Sequence, residues 1–513
     1  MDGGKELITE QYKEQIRGTL SCYDRLILRG TIPVWCFADG MTSFLYSQKI
    51  PIFDYADKLA NPLREEIRAN AERVAAENGV AIEFIRKIKD FRKEDRIQAI
   101  LKQRGSHCGL VHIFSAMETC NSYKPWHDRQ TGKNSLINDS GKCLHYYFYF
   151  IDPLLGLCYL RVPTWCPFQL QFYFNGHNWL AAKLAKHAVS YFLRDNAFLE
   201  IADFSIAQGL SDKIRVEDLH QVLDIIAQRY CPLIKTYHLA YHWSIMQAEY
   251  ATDIVFKRQS DLKMLYEPLI RTAIHSVKPE NIASFLGEKL HGNFLGEIGN
   301  NFNTRIQGTR IKHQMGAVSI KMYDKFSLAL RIETTVNDVS QFRLYREVDQ
   351  RDGIKVKKMA VMKKNIYSLF PLIRLLKASN HRYLEFICAF PDPTDGIKKL
   401  NTVSQIVTSG ERNYKGFNFF AEEDQKLLTV IARGEFNITG FRNQSLQPFL
   451  SDKKPEQISR ILKRLRLHGV IKKAGSTYKY YLTSLGKSVI TLGLRLKELF
   501  IIPSLAGFKT FSF

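Results

Sequence analysis

The sequence predicts an α+β protein: a central antiparallel sheet covered by helices, followed by a smaller, mainly helical domain at the C-terminal end. Three observations lead there. Four segments with strand-like alternation follow one another between residues 109 and 176, helical periodicity dominates from residue 178 onward, and beyond residue 400 short helices flank a tight two-stranded turn.

The elements follow in chain order. Residues 25–35 (RLILRGTIPVW) read as a strand and residues 63–77 as an amphipathic helix, with a short strand at 81–85 and a helix at 93–103. The segments 109–118, 142–151, 156–165 and 168–176 are strands, and the short links between the last three require an antiparallel meander. Alternation places His112 and Glu118, then His145, Tyr147 and Tyr149, then Tyr159 and Arg161, then Gln169, Gln171, Tyr173 and Asn175 on one polar, aromatic face. The opposite face is apolar. Helices are expected at 178–193, 216–229, 262–276 and 280–290, whereas the Asn-, Gly- and Thr-rich residues 300–309 read as a loop or boundary. A hairpin follows, with strands at 318–323 and 328–335, then a lysine-rich stretch (355–364) and two helical segments at 367–377 and 381–390. These changes divide the chain into an N-terminal α/β segment (1–105), a central α+β domain holding the sheet (106–400) and a C-terminal domain (401–513). No internal repeat is visible in the sequence.

Composition narrows the function. At 513 residues and 45% hydrophobic content the chain can form two or three ordinary cores. Its 73 Lys and Arg against 51 Asp and Glu give a net charge of +22, which favours a polyanionic partner such as nucleic acid. Nothing resembles a signal peptide or a membrane span, so a cytoplasmic protein with no membrane partner is expected. Nine cysteines without a CxxC pair argue for reduced, mostly buried thiols. No Walker lysine loop, GxGxxG, GxSxG or HExxH is present, which argues against nucleotide hydrolysis and redox chemistry.

The most specific pattern lies at residues 422–496: a helix at 422–433, a short one at 441–450, a third at 455–468 closed by Gly469, a hairpin, and a helix from Ser484. The string ILKRLRLHGVIKKAGSTYKYYLTSLG resembles the winged-helix family, including regulators of the MarR type. In the third helix Ile458, Ile461, Leu462 and Leu465 form the apolar stripe, leaving Gln457, Arg460, Lys463, Arg464 and Arg466 outward. Eleven Lys or Arg face two acids between Arg442 and Lys487, so binding should depend steeply on salt. The resemblance implies that this helix enters a major groove while Lys472, Lys473 and Lys479 touch phosphates, with Arg442 in support. Duplex DNA is the expected partner, with RNA as the alternative. The apolar excess of residues 485–500 also points to a homodimer.

The string GTRIKHQMGAVSIKMYDKFSLALRIETT (308–335) is similar to replication initiators of rolling-circle plasmids, through a strand ending in Tyr-Asp-Lys and a return strand carrying Arg-x-Glu. Such proteins hold a divalent metal on an antiparallel sheet and use a tyrosine to attack a DNA phosphate. No His-hydrophobic-His motif accompanies the match. Chemistry of that kind needs carboxylates or imidazoles around magnesium or manganese, plus a nucleophile. Glu118 and Glu333 are the candidate metal ligands, with His145 and Tyr323 as further catalytic candidates; Tyr147, Tyr149 and Tyr173 are alternative nucleophiles, and Asp24 and Asp253 flank predicted elements. The same residues also fit a structural reading: Lys321, Arg331 and Glu333 as cross-strand charge pairs, and the tyrosines as core or as a platform for unpaired bases. The expectation is a sequence-specific DNA-binding protein of the mobile-element or replication-initiator kind, acting as a metal-dependent DNA-nicking enzyme. The alternatives are a non-enzymatic winged-helix regulator and an RNA-binding part of a ribonucleoprotein.

Overall fold

The computed structural model describes residues 8–86, 91–233, 237–288, 298–305, 308–350, 354–388, 393–475 and 477–506. The chain divides into two compact units, Met1–Ala389 and Phe390–Phe513. The expected boundary at residue 105 is not present. The strand formed by the N-terminal segment lies in the middle of the sheet, bonded on both edges, so residues 1–105 cannot be a separate domain.

The larger unit is an α+β fold organised by one eleven-stranded sheet. Its first strands are β1 (Ile16–Thr31), β2 (Ile82–Phe84), β3 (Gly109–His127), β4 (Asn134–Asp152), β5 (Gly156–Pro163) and β6 (Leu170–Asn175). A separate hairpin pairs β7 (Tyr191–Arg194) with β8 (Ala197–Ile201). The sheet resumes with β9 (His242–Phe256), β10 (Ile298–Arg305), β11 (Gly308–Met315), β12 (Val318–Lys325) and β13 (Ala329–Val336). The spatial order is β10-β11-β12-β13-β9-β1-β6-β5-β4-β3-β2. Every neighbouring pair is antiparallel except β2 with β3, so the sheet is mixed at one edge rather than wholly antiparallel.

Two halves of like topology meet at β1 and β9. In each, a long strand leads into helices and then into a four-strand meander whose last member returns to pair with the long strand: β6 on β1, β13 on β9. Each meander is followed by a hairpin, β7–β8 in the first half and β14 (Arg343–Asp349) with β15 (Lys355–Val361) in the second. The repetition lies in the connectivity, which a search for recurring residues does not detect.

The helices pack on the apolar face. Phe148, Phe150, Leu160, Phe172 and Phe174 of the meander, all buried, meet side chains from helices Ala38–Ser47, Asn61–Glu77 and Val216–Tyr230. The second half of the sheet is covered by Gln259–His275, Pro279–Leu286 and Leu369–Cys388. Several local expectations change. The helix expected at 178–193 ends at Lys186 and gives way to β7, residues 300–305 belong to β10 and 308–309 to β11 instead of a loop, with 306 and 307 outside the described residues, and the two helices expected within 367–390 are one. Residues 289 and 290 of the helix expected at 280–290 lie outside the described residues. No helix among the described residues is long and apolar enough to cross a membrane.

The smaller unit contains helix Pro393–Ser404, a hairpin of β16 (Val407–Ser409) and β17 (Arg412–Tyr414), and helices Glu422–Ile431, Gly434–Thr439, Asn443–Leu446 and Pro455–Leu467. A hairpin of β18 (Ile471–Lys473) and β19 (Tyr480–Leu482) and helix Ser484–Leu496 complete it. Ile458, Leu462 and Leu465 are buried against Leu427, Phe441, Leu446 and Ile490. The Pro455–Leu467 helix starts with proline in its first turn, where no backbone donor is lost. It stops at Gly469, whose φ of +69° favours glycine.

Candidate functional site

On the other, polar face of the sheet, the two halves bring their side chains together around β1, β9 and β13. Against β9, the register of β1 passes from Tyr23↔Tyr250 to Leu26↔Ala248, so Asp24 and Arg25 oppose the single residue Glu249. This bulge aims Asp24 at Glu249, and such devices recur beside functional sites because they re-aim a side chain. Glu333 on β13 completes the group: ligand oxygens of Asp24, Glu249 and Glu333 all lie within 4.8 Å of one another.

The carboxylates are held by a dense set of partners. The Arg331 guanidinium, fully buried, donates through Nε and Nη2 to Asp253 at 2.6 Å each, through Nη1 to Asp24 at 3.1 Å, and to the Asn196 carbonyl. Its Nη2 also meets His177 Nε2 at 3.2 Å, which places the imidazole proton on Nδ1, 3.4 Å from Asp24 Oδ1. His177 arrives there because its helix begins on Gly176. A Cβ at that glycine would stand 2.2 Å from the Tyr23 carbonyl oxygen, so only glycine lets the helix approach β1 this closely. Lys321 Nζ donates to Glu333 at 2.6 Å and to Glu249 at 3.2 Å, and the Tyr323 hydroxyl donates to the other Glu333 oxygen at 2.5 Å. Asn175 and Asn196 both donate to Asp24.

The charge balance is the informative feature. Four carboxylates, Asp24, Asp253, Glu249 and Glu333, meet here; Arg331 and Lys321 contact them directly, and Lys325 donates to Asn196. Burial would raise the Asp24 carboxyl, but Arg331, His177 and Asn196 outweigh it and hold it well below the usual carboxylate range. Glu249 goes the other way: burial and then the Glu333 charge push it up against the pull of Lys321. Carboxylates in excess of cations at a desolvated site form a hard-oxygen donor set that suits magnesium or manganese.

A groove of about 950 Å³ leads to this cluster. Asp24 and Glu249 line it together with Arg25, Tyr149, Tyr159 and Tyr173, and its walls come from helix Lys93–Arg104 and the β7–β8 hairpin. The Tyr159 and Tyr173 rings stack at 5.0 Å between centroids, the Tyr149 and Tyr159 rings lie 5.1 Å apart, and Arg25 sits over Tyr173.

The expected site residues are only partly united. Glu333 and Tyr323 are in the cluster, whereas Glu118 is on β3, separated from β13 by β4, β5, β6, β1 and β9, so the two glutamates cannot share a metal ion. Glu118 accepts two bonds from Arg161, at 3.0 and 2.6 Å, and one from Tyr147 at 2.6 Å. His145 is buried on β4, contacts the Cys143 carbonyl at 3.1 Å, and is held down to about 4 by burial and Arg161. It has no part in the cluster. Tyr323 is buried and its hydroxyl is bonded to Glu333; burial and that carboxylate raise its phenol well above the ordinary value. Its role is to orient Glu333. Glu249 was not foreseen; its only sequence signal is the Glu249-x-x-x-Asp253 spacing, which puts both acids on one strand face.

In the smaller unit Arg442, Arg460, Lys463 and Lys472 are exposed, and Lys473 and Lys479 half-buried. The Gln457 side chain caps its own helix by accepting from the Lys454 amide at 2.7 Å. Arg464 must be corrected. It is bonded to Asp424 at 2.7 and 3.0 Å and to the carbonyls of Lys415 and Gly416, over the Phe417 ring, so it holds the unit together instead of reaching outward. Arg460 lines a cavity of about 520 Å³ with Arg412, Tyr414 and Lys415.

No family model matches the chain, nor does any curated protein or solved structure.

Proposed function

We propose that this is a DNA-binding protein of the replication-initiator or mobile-element kind that cuts a strand with the help of a divalent metal. The observation that carries the reading is that the tyrosine ladder shares one groove with Asp24 and Glu249 of the carboxylate cluster, Glu333 lying just behind them. An unpaired strand stacks its bases on the half-exposed Tyr159 and Tyr173, with Tyr149 packed behind them, sequence-tolerant contacts that suit single strands. Arg25, exposed beside Tyr173, takes a phosphate and brings the chain toward Asp24 and Glu249.

Asp24, Glu249 and Glu333 are the residues that hold magnesium or manganese, which when bound polarises the phosphodiester and lowers the pKa of attacking water. Tyr323 and Lys321 fix Glu333, and Arg331 fixes Asp24 through a carboxylate pair no other cation reaches as closely. Water is the better nucleophile here, since the phenol nearest the cluster is buried with its hydroxyl committed to Glu333, whereas the groove is open to solvent.

In the same reading the smaller unit is a winged helix that docks a duplex, with Arg460 and Lys463 of helix Pro455–Leu467 toward the major groove and Lys472 on a phosphate. The carboxylate cluster favours cutting over a ligand-sensing regulator, which has no use for an acidic, polar groove of this kind.

The test is incubation of the pure protein with supercoiled and single-stranded DNA plus magnesium or manganese. Glu249→Gln and Glu333→Gln should each lower cleavage by about 100-fold or more, comparable with removing one electrostatic element of an active site, while Glu118→Gln leaves it near the parent level. No cleavage of any substrate, or equal activity in all variants, would remove the catalytic half. Copurifying nucleic acid resistant to DNase but sensitive to RNase would shift the partner to RNA.

A further inference from the structure

The two hairpins that follow the two meanders occupy like places in the repeated topology and are treated in opposite ways. The β7–β8 hairpin is folded onto the sheet: Ala197, Phe198 and Leu199 are buried, and Asn196 reaches Asp24. No residue of β14 or β15 is buried, and Tyr345 and Met359, paired across the strands, are 67% and 57% exposed. The ribbon is anchored near its base, where Phe342 and Met362 are buried and joined by a backbone bond of 2.9 Å and Leu344 packs partly buried against the core. Seven residues per strand give it a reach of about 23 Å at roughly 3.3 Å per residue.

A two-stranded ribbon wet on both faces gains little from its own contacts, so its sequence must be suited to something outside it. The charge says what. Residues 343–364 hold eight Lys or Arg (343, 346, 351, 355, 357, 358, 363, 364) and three acids (347, 349, 352), a net +5. Among the described residues Lys355, Lys357 and Lys358 form no ion pair with any carboxylate, while Lys364 is taken by Asp338 and Arg346 by backbone carbonyls. Alternation puts Lys357 and Lys358 on opposite faces, so cations flank the ribbon on both sides.

We infer that the β14–β15 ribbon is a DNA-binding arm that lies in the major groove of a duplex with Lys355, Lys357 and Lys358 on the flanking phosphates. The major groove is wide enough for a two-stranded ribbon, and a ribbon with cations on both faces meets the two phosphate rows that border it. This rests on the duplex-binding reading above but uses a different part of the chain from the Pro455–Leu467 helix.

The experiment measures binding of the full chain to a labelled 40-base-pair duplex, and to one of its strands alone, across a salt series. Lys355→Ala/Lys357→Ala/Lys358→Ala should weaken duplex binding at least 10-fold at 0.1 M salt and reduce the slope of log K against log salt by about 3, at close to 0.9 per phosphate contact. Single-strand binding should be unchanged, and the triple exchange to Arg should restore the slope. A parental affinity and slope in the alanine variant, alongside weakened binding by Arg460→Ala/Lys472→Ala, would overturn the arm and leave the docking helix standing. Equal loss on single strand and duplex would overturn groove binding in favour of indiscriminate charge. A parent that binds no duplex at all would overturn both.

Discussion

The two halves of the sheet carry acids on the same polar face but balance them differently. In the first half, Glu118 has one carboxylate, a two-pronged Arg161 and the Tyr147 hydroxyl, with Lys93 over the Tyr147 ring and near enough to raise its electrostatic balance further. At the junction with the second half, four carboxylates gather around Arg331 and Lys321, and Glu249 is pushed toward protonation. Both groups are hydrogen-bonded, the first half-buried and the second more deeply enclosed. Only the second is short of positive charge. The difference teaches that a carboxylate on a sheet face points to function when its neighbours leave charge unbalanced, and to stability when they close it.

That contrast can be broken by mutation. The largest effect is expected from Arg331→Met, which leaves Asp24 and Asp253 buried without a counter-charge; removing one partner of a buried ion pair costs about 3–5 kcal/mol. Urea unfolding followed by the fluorescence of the buried Trp35 and Trp243 checks it, and a loss under 1 kcal/mol would mean that water or rearranged lysines already balance those acids.

Next comes pH. His145 belongs to the balanced half, and burial followed by Arg161 depresses it from about 6.5 to about 4. A base whose folded pKa is lowered contributes stability that is present above the unfolded value and lost as pH falls from about 6.5 toward 4. The difference is worth about 3 kcal/mol when complete. His313, buried against Asn300 and Tyr383 and also held at about 4, acts in the same direction. The urea midpoint should fall between pH 7 and 5, with a flatter slope in His145→Asn.

Glu118→Gln should cost about 1–3 kcal/mol, since Arg161 is left half-buried with a weaker acceptor, and should leave metal-dependent activity alone. The smallest effect has the opposite sign. Glu249 is raised in the folded state, so its ionisation works against folding as pH rises through that value; Glu249→Gln should be neutral or stabilising by up to about 1 kcal/mol in metal-free buffer at pH 7.

How much was legible in the sequence follows from how local each signal is. The β12–β13 hairpin was plain, because alternation on both sides of Asp324–Ser327 fixes which residues share a face and pairs Lys321 with Glu333. The meander of β4, β5 and β6 was plain for the same reason. β9 was not, because a strand bonded on both sides and covered by helices carries no clean polar alternation, and His242–Phe256 mixes Tyr250, Asp253 and Phe256 accordingly. The site itself joins residues 24, 249 and 333 across three strands and one bulge, information that lives in register rather than in spacing. Pairing Glu118 with Glu333 failed because a shared face spans eleven strands and says nothing about distance along the sheet. Arg464 misled for a related reason: the helix period gives its direction, but the segment that covers it, with Asp424 and the carbonyl of Gly416, lies outside that helix.

The most direct measurement of the central claim is calorimetric titration of manganese into the metal-free protein at pH 7. The account predicts one site per chain, loss of binding in Glu249→Gln and Glu333→Gln, and retention in Glu118→Gln. Absence of saturable binding, or binding that survives in Glu249→Gln and Glu333→Gln, would contradict it.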